Sequence, residues 1–113
     1  MSTTANVIKA HYEIPVMLQD GGAIPHIPAV LKFGDTVHYK SKDGEVTMEF
    51  LDNGSPYLDL NGNQVTTVTS NDPPLELKVR GVFTSRCFIT PPGGTPIGWS
   101  AEYPESGGNH DVR

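Results

Sequence analysis

Short segments in which apolar and polar residues alternate run through most of the chain, a pattern typical of strands with one buried face. In the first of them, residues 6–14, Tyr12 and Ile14 lie on one face while His11 and Glu13 lie on the other. Further segments of this kind are residues 36–40, 45–50, 64–70, 75–80 and 82–90. The alternation therefore predicts a β protein whose strands each bury one face.

Turn signals separate these segments at short, even spacing. Asp43-Gly44 is typical of a two-residue turn, so we expect a hairpin between segments 36–40 and 45–50. Two Asn-Gly dipeptides further along the chain also supply the positive φ angles that tight turns require. Residues 15–28 contain three prolines and an Asp-Gly-Gly run, and they predict the largest irregular loop.

Composition narrows the fold class further. The 113 residues include 12 Gly and 10 Pro, and after Ile14 no stretch without either residue exceeds ten positions. Ordinary helices of about 11 or 12 residues are therefore excluded from most of the chain. We expect an all-β protein, an antiparallel Greek-key β-sandwich of about 7–9 short strands. Residues 1–5 are expected to form a flexible N-terminus, and residues 6–113 a single sandwich domain.

The charge balance excludes two classes of partner. Eight Lys and Arg against 13 Asp and Glu give a net charge of −5, and the basic residues are scattered along the sequence. Neither nucleic acid nor an anionic membrane is therefore an expected partner, because both require concentrated positive charge.

The single cysteine and the N-terminal sequence bear on the cellular compartment. Cys87 has no second cysteine with which to form an internal disulfide, which favours a reducing compartment. The first residues lack the basic and apolar regions of a signal peptide. We expect a soluble cytoplasmic protein, or an exported one if a signal peptide has been removed.

Two sequence segments carry a family resemblance. Residues 33–39 read Phe-Gly-Asp-Thr-Val-His-Tyr, a Gly-Asp turn leading into a valine and an aromatic residue, and residues 81–87 read Gly-Val-Phe-Thr-Ser-Arg-Cys. They resemble the strand opening and the late strand of cupredoxin-like domains, whose late strand runs toward a metal site. The resemblance implies a cupredoxin-like sandwich, and an immunoglobulin-like sandwich is the alternative.

Copper chemistry in that family requires a thiolate and two imidazoles, often with a weak thioether ligand. The resemblance places the first imidazole in residues 42–45, Lys-Asp-Gly-Glu, and the second in residues 88–92, Phe-Ile-Thr-Pro-Pro. Neither segment contains histidine, and the loop that follows has no methionine. The resemblance therefore implies the fold without the redox copper site, and we expect no cofactor.

Other metal or nucleophilic chemistry would depend on the histidines and the cysteine. Folding could bring His11, His26, His38 and His110 together with Cys87, and the candidate metal ligands are Cys87, His110, His38 and His26. No pair has the local spacing of a structural zinc motif, and the alternation places His11 and His38 on solvent faces and His26 in a loop. Cys87 lies on the apolar face of its segment, so we expect a buried, structural thiol. We therefore expect no enzyme.

Aromatic residues near Gly- and Pro-rich loops are candidates for surface recognition. The binding-surface candidates are Trp99, Tyr103, Tyr57 and His26. Aromatic side chains stack on sugar rings and anchor protein partners, although Trp99 could equally belong to the core or rim of the sandwich. We expect a non-catalytic binding or assembly module that contacts a protein partner or self-associates. The alternatives are a metal-binding protein that uses Cys87 and histidines, and a carbohydrate-binding module.

Overall fold

The structure, a computed structural model, describes residues 9–100, 102 and 106–113. Within these residues there are nine strands and no helix, which confirms the expected all-β sandwich. The strands are β1 His11–Gln19, β2 Gly22–Pro25, β3 Thr36–Lys40, β4 Glu45–Phe50, β5 Thr67–Thr69, β6 Leu75–Glu76, β7 Gly81–Thr90, β8 Ile97–Gly98 and β9 Gly107–Val112. The segment 1–5 that was predicted to be flexible lies outside the described residues.

Two sheets form the sandwich. Sheet 1 has the order β2-β1-β3-β6, and sheet 2 has the order β5-β4-β7-β8, with β9 also paired to β7. The segment around Leu31 pairs with Val112 and continues sheet 2 beyond β9. The paired strands are antiparallel except β1 and β3, which run parallel. That parallel pair departs from the antiparallel sandwich predicted by the sequence.

Strand β1 is longer than the sequence pattern indicated. The expected loop at residues 15–28 instead begins with the second half of β1 and continues into β2. Pro15 is accommodated where the pairing of β1 passes from β3 to β2, and its carbonyl accepts a hydrogen bond from the His26 N–H at 3.0 Å. A strand can hold a proline at a position where its missing donor is not needed by a ladder.

The predicted hairpin between residues 36–40 and 45–50 is wrong. Strand β3 belongs to sheet 1 and β4 to sheet 2, so Asp43-Gly44 lies in a connection that crosses between the sheets. The alternation correctly identified the buried side chains, including Val37 and Val46. It could not assign their strands to sheets, because the inner faces of both sheets point into the same core.

The core is built from the inner faces of both sheets. Its fully buried side chains include Ile14, Val16, Val37 and Tyr39 from sheet 1, and Val46, Met48, Cys87 and Ile89 from sheet 2. The outer faces carry polar residues, as the alternation predicted, with Glu45 and Glu49 exposed on β4. The sequence pattern therefore fixes which side of each of these strands faces water.

A buried carboxylate fixes the start of the parallel pair. Asp35, immediately before β3, accepts hydrogen bonds from the Ala10 N–H at 2.9 Å and from the Tyr12 hydroxyl at 3.3 Å. The Thr36 N–H donates to the Ala10 carbonyl at 3.0 Å. These bonds hold the register in which His11 faces Thr36 and Glu13 faces His38 across the pair.

Gly44 is expected to be one of the least replaceable residues of the inter-sheet connection. Its φ is 152°, and a Cβ atom built there would overlap the Thr90 carbonyl and lie 2.9 Å from the Pro91 Cα. We expect Gly44→Ala to lower the free energy of unfolding by roughly 2 to 4 kcal/mol, measured by urea denaturation.

The matched control for this substitution is Gly62→Ala. Gly62 also has a positive φ, 81°, but nothing lies within 4 Å of a Cβ built on it. Gly62→Ala should lower the free energy of unfolding by only about 1 kcal/mol, from backbone strain alone. If both variants lost the same free energy of unfolding, the backbone around Thr90 and Pro91 would have moved to admit the new Cβ atom at no energetic cost.

Candidate functional site

The predicted metal ligands do not come together. Cys87 on β7 and His110 on β9 are fully buried in the core. His38 lies on the outer face of sheet 1, and His26 is exposed just after β2. In the described part of the chain, no three His, Cys, Asp or Glu side chains form a ready-made metal site. The set Cys87, His110, His38 and His26 is therefore not the ligand set of a single ion.

Cys87 is inert in the folded protein. Its side chain is inaccessible to water, and burial raises the pKa of the thiol to about 12. A thiol with such a pKa contains almost no thiolate at neutral pH, and the thiolate is the nucleophilic form. The expectation of a buried structural cysteine is confirmed.

Three polar rings form a hydrogen-bonded chain inside the sandwich. The Tyr39 hydroxyl lies 2.7 Å from the Tyr57 hydroxyl and 2.8 Å from the Nε2 atom of His110. Tyr39 comes from sheet 1, His110 from sheet 2, and Tyr57 from the connection between β4 and β5. We name Tyr39, Tyr57 and His110 the interior triad. It joins the two sheets through polar contacts in a largely apolar core.

Burial sets the ionisation of the interior triad. It lowers the pKa of His110 to about 4, and the Phe83 carbonyl opposite His110 on β7 acts in the other direction but more weakly. The Nδ1 atom of this histidine has no well-aligned hydrogen bond. Burial also raises the pKa of Tyr39 and of Tyr57. All three rings are therefore neutral at pH 7, where Tyr39 can donate to the lone pair of His110 Nε2.

The predicted aromatic binding surface is not assembled as expected. Tyr57 is a core residue, 1% exposed, and cannot contact a partner, because its aromatic ring packs edge-on against Phe50. Trp99 is half-buried, with the Arg86 guanidinium 4.0 Å from the centroid of its ring. Tyr103 lies outside the described residues. Trp99 therefore already contacts Arg86 within its own fold. Tyr57 is removed from the predicted binding-surface residues because it is buried.

The outer face of sheet 1 carries a compact polar group that the sequence did not single out. His11 Nε2 lies 2.8 Å from the Oε2 atom of Glu13, and His38 Nδ1 lies 3.1 Å from the same oxygen. We name His11, Glu13 and His38 the His–Glu cluster. The hydrogen bond from His11 is the main reason that the pKa of Glu13 is lowered, and His38 acts in the same direction.

An apolar cleft adjoins the His–Glu cluster on the same face. It has a volume of about 450 Å³ and lies where β3 ends beside the continuing β1. We name it the outer cleft, and it is lined by Pro15, Val16, Met17, Lys40, Ser41 and Lys42. Lys40 connects the two features, since its Nζ atom is 4.0 Å from the Oε1 atom of Glu13. This face therefore combines an apolar cleft with titratable side chains.

Comparison with known proteins adds no relative. No family model matches the chain, and no curated protein matches it. None of the described residues forms a helix long and apolar enough to cross a membrane.

Sequence reasoning identified the members of the His–Glu cluster as solvent-facing but missed their convergence. His11 and Glu13 are two residues apart on one strand face, which is visible in the sequence. The position of His38 beside Glu13 results from the parallel pairing of β1 with β3, and no local pattern reveals that pairing. Strand β9, which carries His110, was also missed because its Gly-Gly-Asn-His-Asp sequence is poor in typical strand residues.

The buried imidazole makes stability dependent on pH. The pKa of His110 is about 4 in the folded protein, against about 6.5 unfolded, so only the unfolded chain binds this proton between those pH values. The stabilisation is complete above pH 6.5 and is lost as the pH falls toward 4. The free energy of unfolding is expected to fall by about 3 kcal/mol from this group, which urea unfolding measured across this pH range would detect.

The His110→Gln variant is the control for this effect. A glutamine side chain can place an amide group near the position of Nε2 but does not titrate. Its unfolding free energy should fall less steeply between pH 6.5 and 4 than that of the unmodified protein. Identical slopes would show that His110 is not responsible.

Cys87 should react only when the chain unfolds. We expect a thiol reagent such as Ellman's reagent to leave the native protein almost unmodified and to label one thiol per chain in guanidinium chloride. Rapid labelling under native conditions, at a rate unaffected by added stabilising osmolyte, would contradict the burial of this thiol.

Proposed function

We propose that the protein is a non-catalytic binding module whose outer cleft receives an apolar and acidic segment of a protein partner. The observation that carries the proposal is the apolar outer cleft beside two lysines. Two groups that could take part in chemistry, Cys87 and the interior triad, are buried where no substrate reaches them. Recognition at the surface is therefore better supported than chemistry.

The apolar part of the outer cleft suits a hydrophobic side chain. Pro15 and Met17 lie on the outer face of β1, and Met17 is 43% exposed although its side chain is large and apolar. Methionine adapts its shape to different partners, and exposed apolar surface in a concave site is typical of binding sites. An aliphatic or aromatic side chain of a partner would bury this surface.

The charges around the outer cleft suit an acidic neighbour. Lys40 and Lys42 line it in a protein whose net charge is −5. Lys42 makes no ion pair with any described residue, and the contact of Lys40 with Glu13 is long at 4.0 Å. Both ammonium groups are therefore available to attract a carboxylate and to steer a partner toward the cleft.

The partner is expected to bind through side chains instead of adding a strand to β1. Beyond the end of β3, the Leu18 N–H is already bonded to the Asp43 carboxylate at 3.2 Å. Strand addition depends on free main-chain donors and acceptors at a sheet edge. Because the Leu18 N–H already donates to Asp43, main-chain pairing at this position is disfavoured. A partner would therefore bind mainly through side chains that enter the apolar cleft.

The proposal predicts a defined preference in peptide selection. We expect a displayed random-peptide library, selected on the immobilised protein, to enrich sequences with a large apolar residue near Asp or Glu. Met17→Asp should weaken binding of the selected peptides by roughly tenfold or more, since it places charge in the apolar contact. Fluorescence polarisation with synthetic peptides measures this change.

Two further variants complete the design. Lys40→Glu combined with Lys42→Glu should shift the selection toward basic peptides. Leu60→Ser is the matched control, because Leu60 is fully exposed and does not line the cleft. Peptide binding that is unchanged in Met17→Asp would overturn the proposal. So would a concentration-dependent dimer that Met17→Asp dissociates, because the occupant of the cleft would then be another copy of this chain.

A further inference from the structure

We propose that the His–Glu cluster of His11, Glu13 and His38 binds one divalent transition-metal ion, with Zn²⁺ as the best chemical match. The site shares His11 and His38 with the histidines considered from the sequence, whereas Glu13 was not among the suggested ligands. It lies beside the outer cleft but does not depend on a partner occupying that cleft.

The backbone holds the three ligands in a defined arrangement. Glu13 and His38 are directly paired in the parallel ladder between β1 and β3, and His11 precedes Glu13 by two residues on the same face. The Asp35 hydrogen bonds to Ala10 and Tyr12 fix this register. Sites on paired strands are more accurately positioned than sites on loops, so little ordering is needed when an ion binds.

The hydrogen bond between His38 Nε2 and Ser70 orients the opposite ring nitrogen, Nδ1, to ligate a cation. Its Nε2 atom lies 3.0 Å from the Ser70 carbonyl, which can only accept, so the ring proton is on Nε2. In the neutral ring, Nδ1 therefore presents a lone pair to the Glu13 carboxylate at 3.1 Å. In this tautomer two electron-rich groups face each other, an arrangement that attracts a cation.

His11 has a partner that can adapt to metal binding. Its Nδ1 atom lies 2.7 Å from the Thr36 hydroxyl, which can either donate or accept. When the hydroxyl accepts the Nδ1 proton, Nε2 is free to ligate. Metal-ligating histidines almost always bond their second nitrogen to an oxygen of the protein or to water, and both histidines of the cluster have such a bond.

Both histidine nitrogens of the cluster contact the same carboxylate oxygen, at distances shorter than those between the ligands of a metal ion. A tetrahedral ion with ligands at about 2.0 to 2.1 Å separates neighbouring donor atoms by about 3.3 Å. The two nitrogens lie 2.8 and 3.1 Å from Glu13 Oε2, so the exposed side chains must rotate apart for all three to surround one ion. Without an ion, the cluster is closed by its own hydrogen bonds, in keeping with the lack of a ready-made site in the described residues.

The donor set selects the class of ion. Two imidazoles and one carboxylate suit Zn²⁺ and its transition-metal neighbours, whereas Ca²⁺ and Mg²⁺ prefer oxygen ligands throughout. The side chains of all three residues are between 28% and 42% exposed, which leaves the fourth position open to water. Binding replaces the hydrogen bonds to Glu13 with metal bonds and leaves both rings neutral.

The test is a titration of the untagged protein with Zn²⁺ against a competing chromophoric chelator. We expect one ion per chain, and a loss of affinity of roughly tenfold or more in His38→Gln and in Glu13→Gln. His26→Gln is the matched control, because His26 is exposed but outside the cluster. Circular dichroism and urea unfolding of each variant establish that it remains folded.

A gain of affinity separates ligation from a structural effect. The Lys40 ammonium near Glu13 opposes a bound cation, so Lys40→Gln should increase the affinity for Zn²⁺ severalfold. The absence of stoichiometric binding, or an equal loss in His26→Gln, would overturn the proposal. The peptide assay in the presence of a chelator is unaffected by that result, so failure of the metal site and failure of the outer cleft are distinguishable.

Discussion

Tyr39, Tyr57 and His110 place polar ring atoms in a largely apolar interior, and their mutual hydrogen bonds make this burial tolerable. A buried polar group without a partner costs about 1–3 kcal/mol, so these three side chains constrain one another's positions. Because they come from sheet 1, sheet 2 and the β4–β5 connection, they fix how the sheets lie across the core. Apolar packing alone would specify that arrangement less strictly.

This interior has a consequence for function. The Cys87 thiol and the His110 imidazole are held in the core in their neutral forms, out of reach of a substrate. What remains at the surface is a set of contacts suited to recognition. The outer face of sheet 1 places the outer cleft and the His–Glu cluster side by side, with Lys40 touching both. We propose that binding, and not catalysis, is the role of this face.

The parallel pairing of β1 with β3 decides what that face contains. It places His38 against Glu13, and β3 then leaves the sheet while β1 continues, which opens the outer cleft. None of this was predictable from the sequence, because the same alternation fits a β3–β4 hairpin equally well. The expected hairpin and the expected loop at residues 15–28 failed for one shared reason. Local signals describe turns and faces, whereas the choice of strand partner depends on contacts between distant residues.

The sequence by itself determined the all-β class, the positions of several strands and the inward direction of Cys87. Those properties depend on residue type and on the two-residue period of a strand, both of which are local. Only the tertiary structure decided that Tyr57 is a core residue, that His110 lies on a strand, and that His11, Glu13 and His38 meet. These outcomes depend on which strands become neighbours, and that choice is made by the free energy of closing one common core around the interior triad.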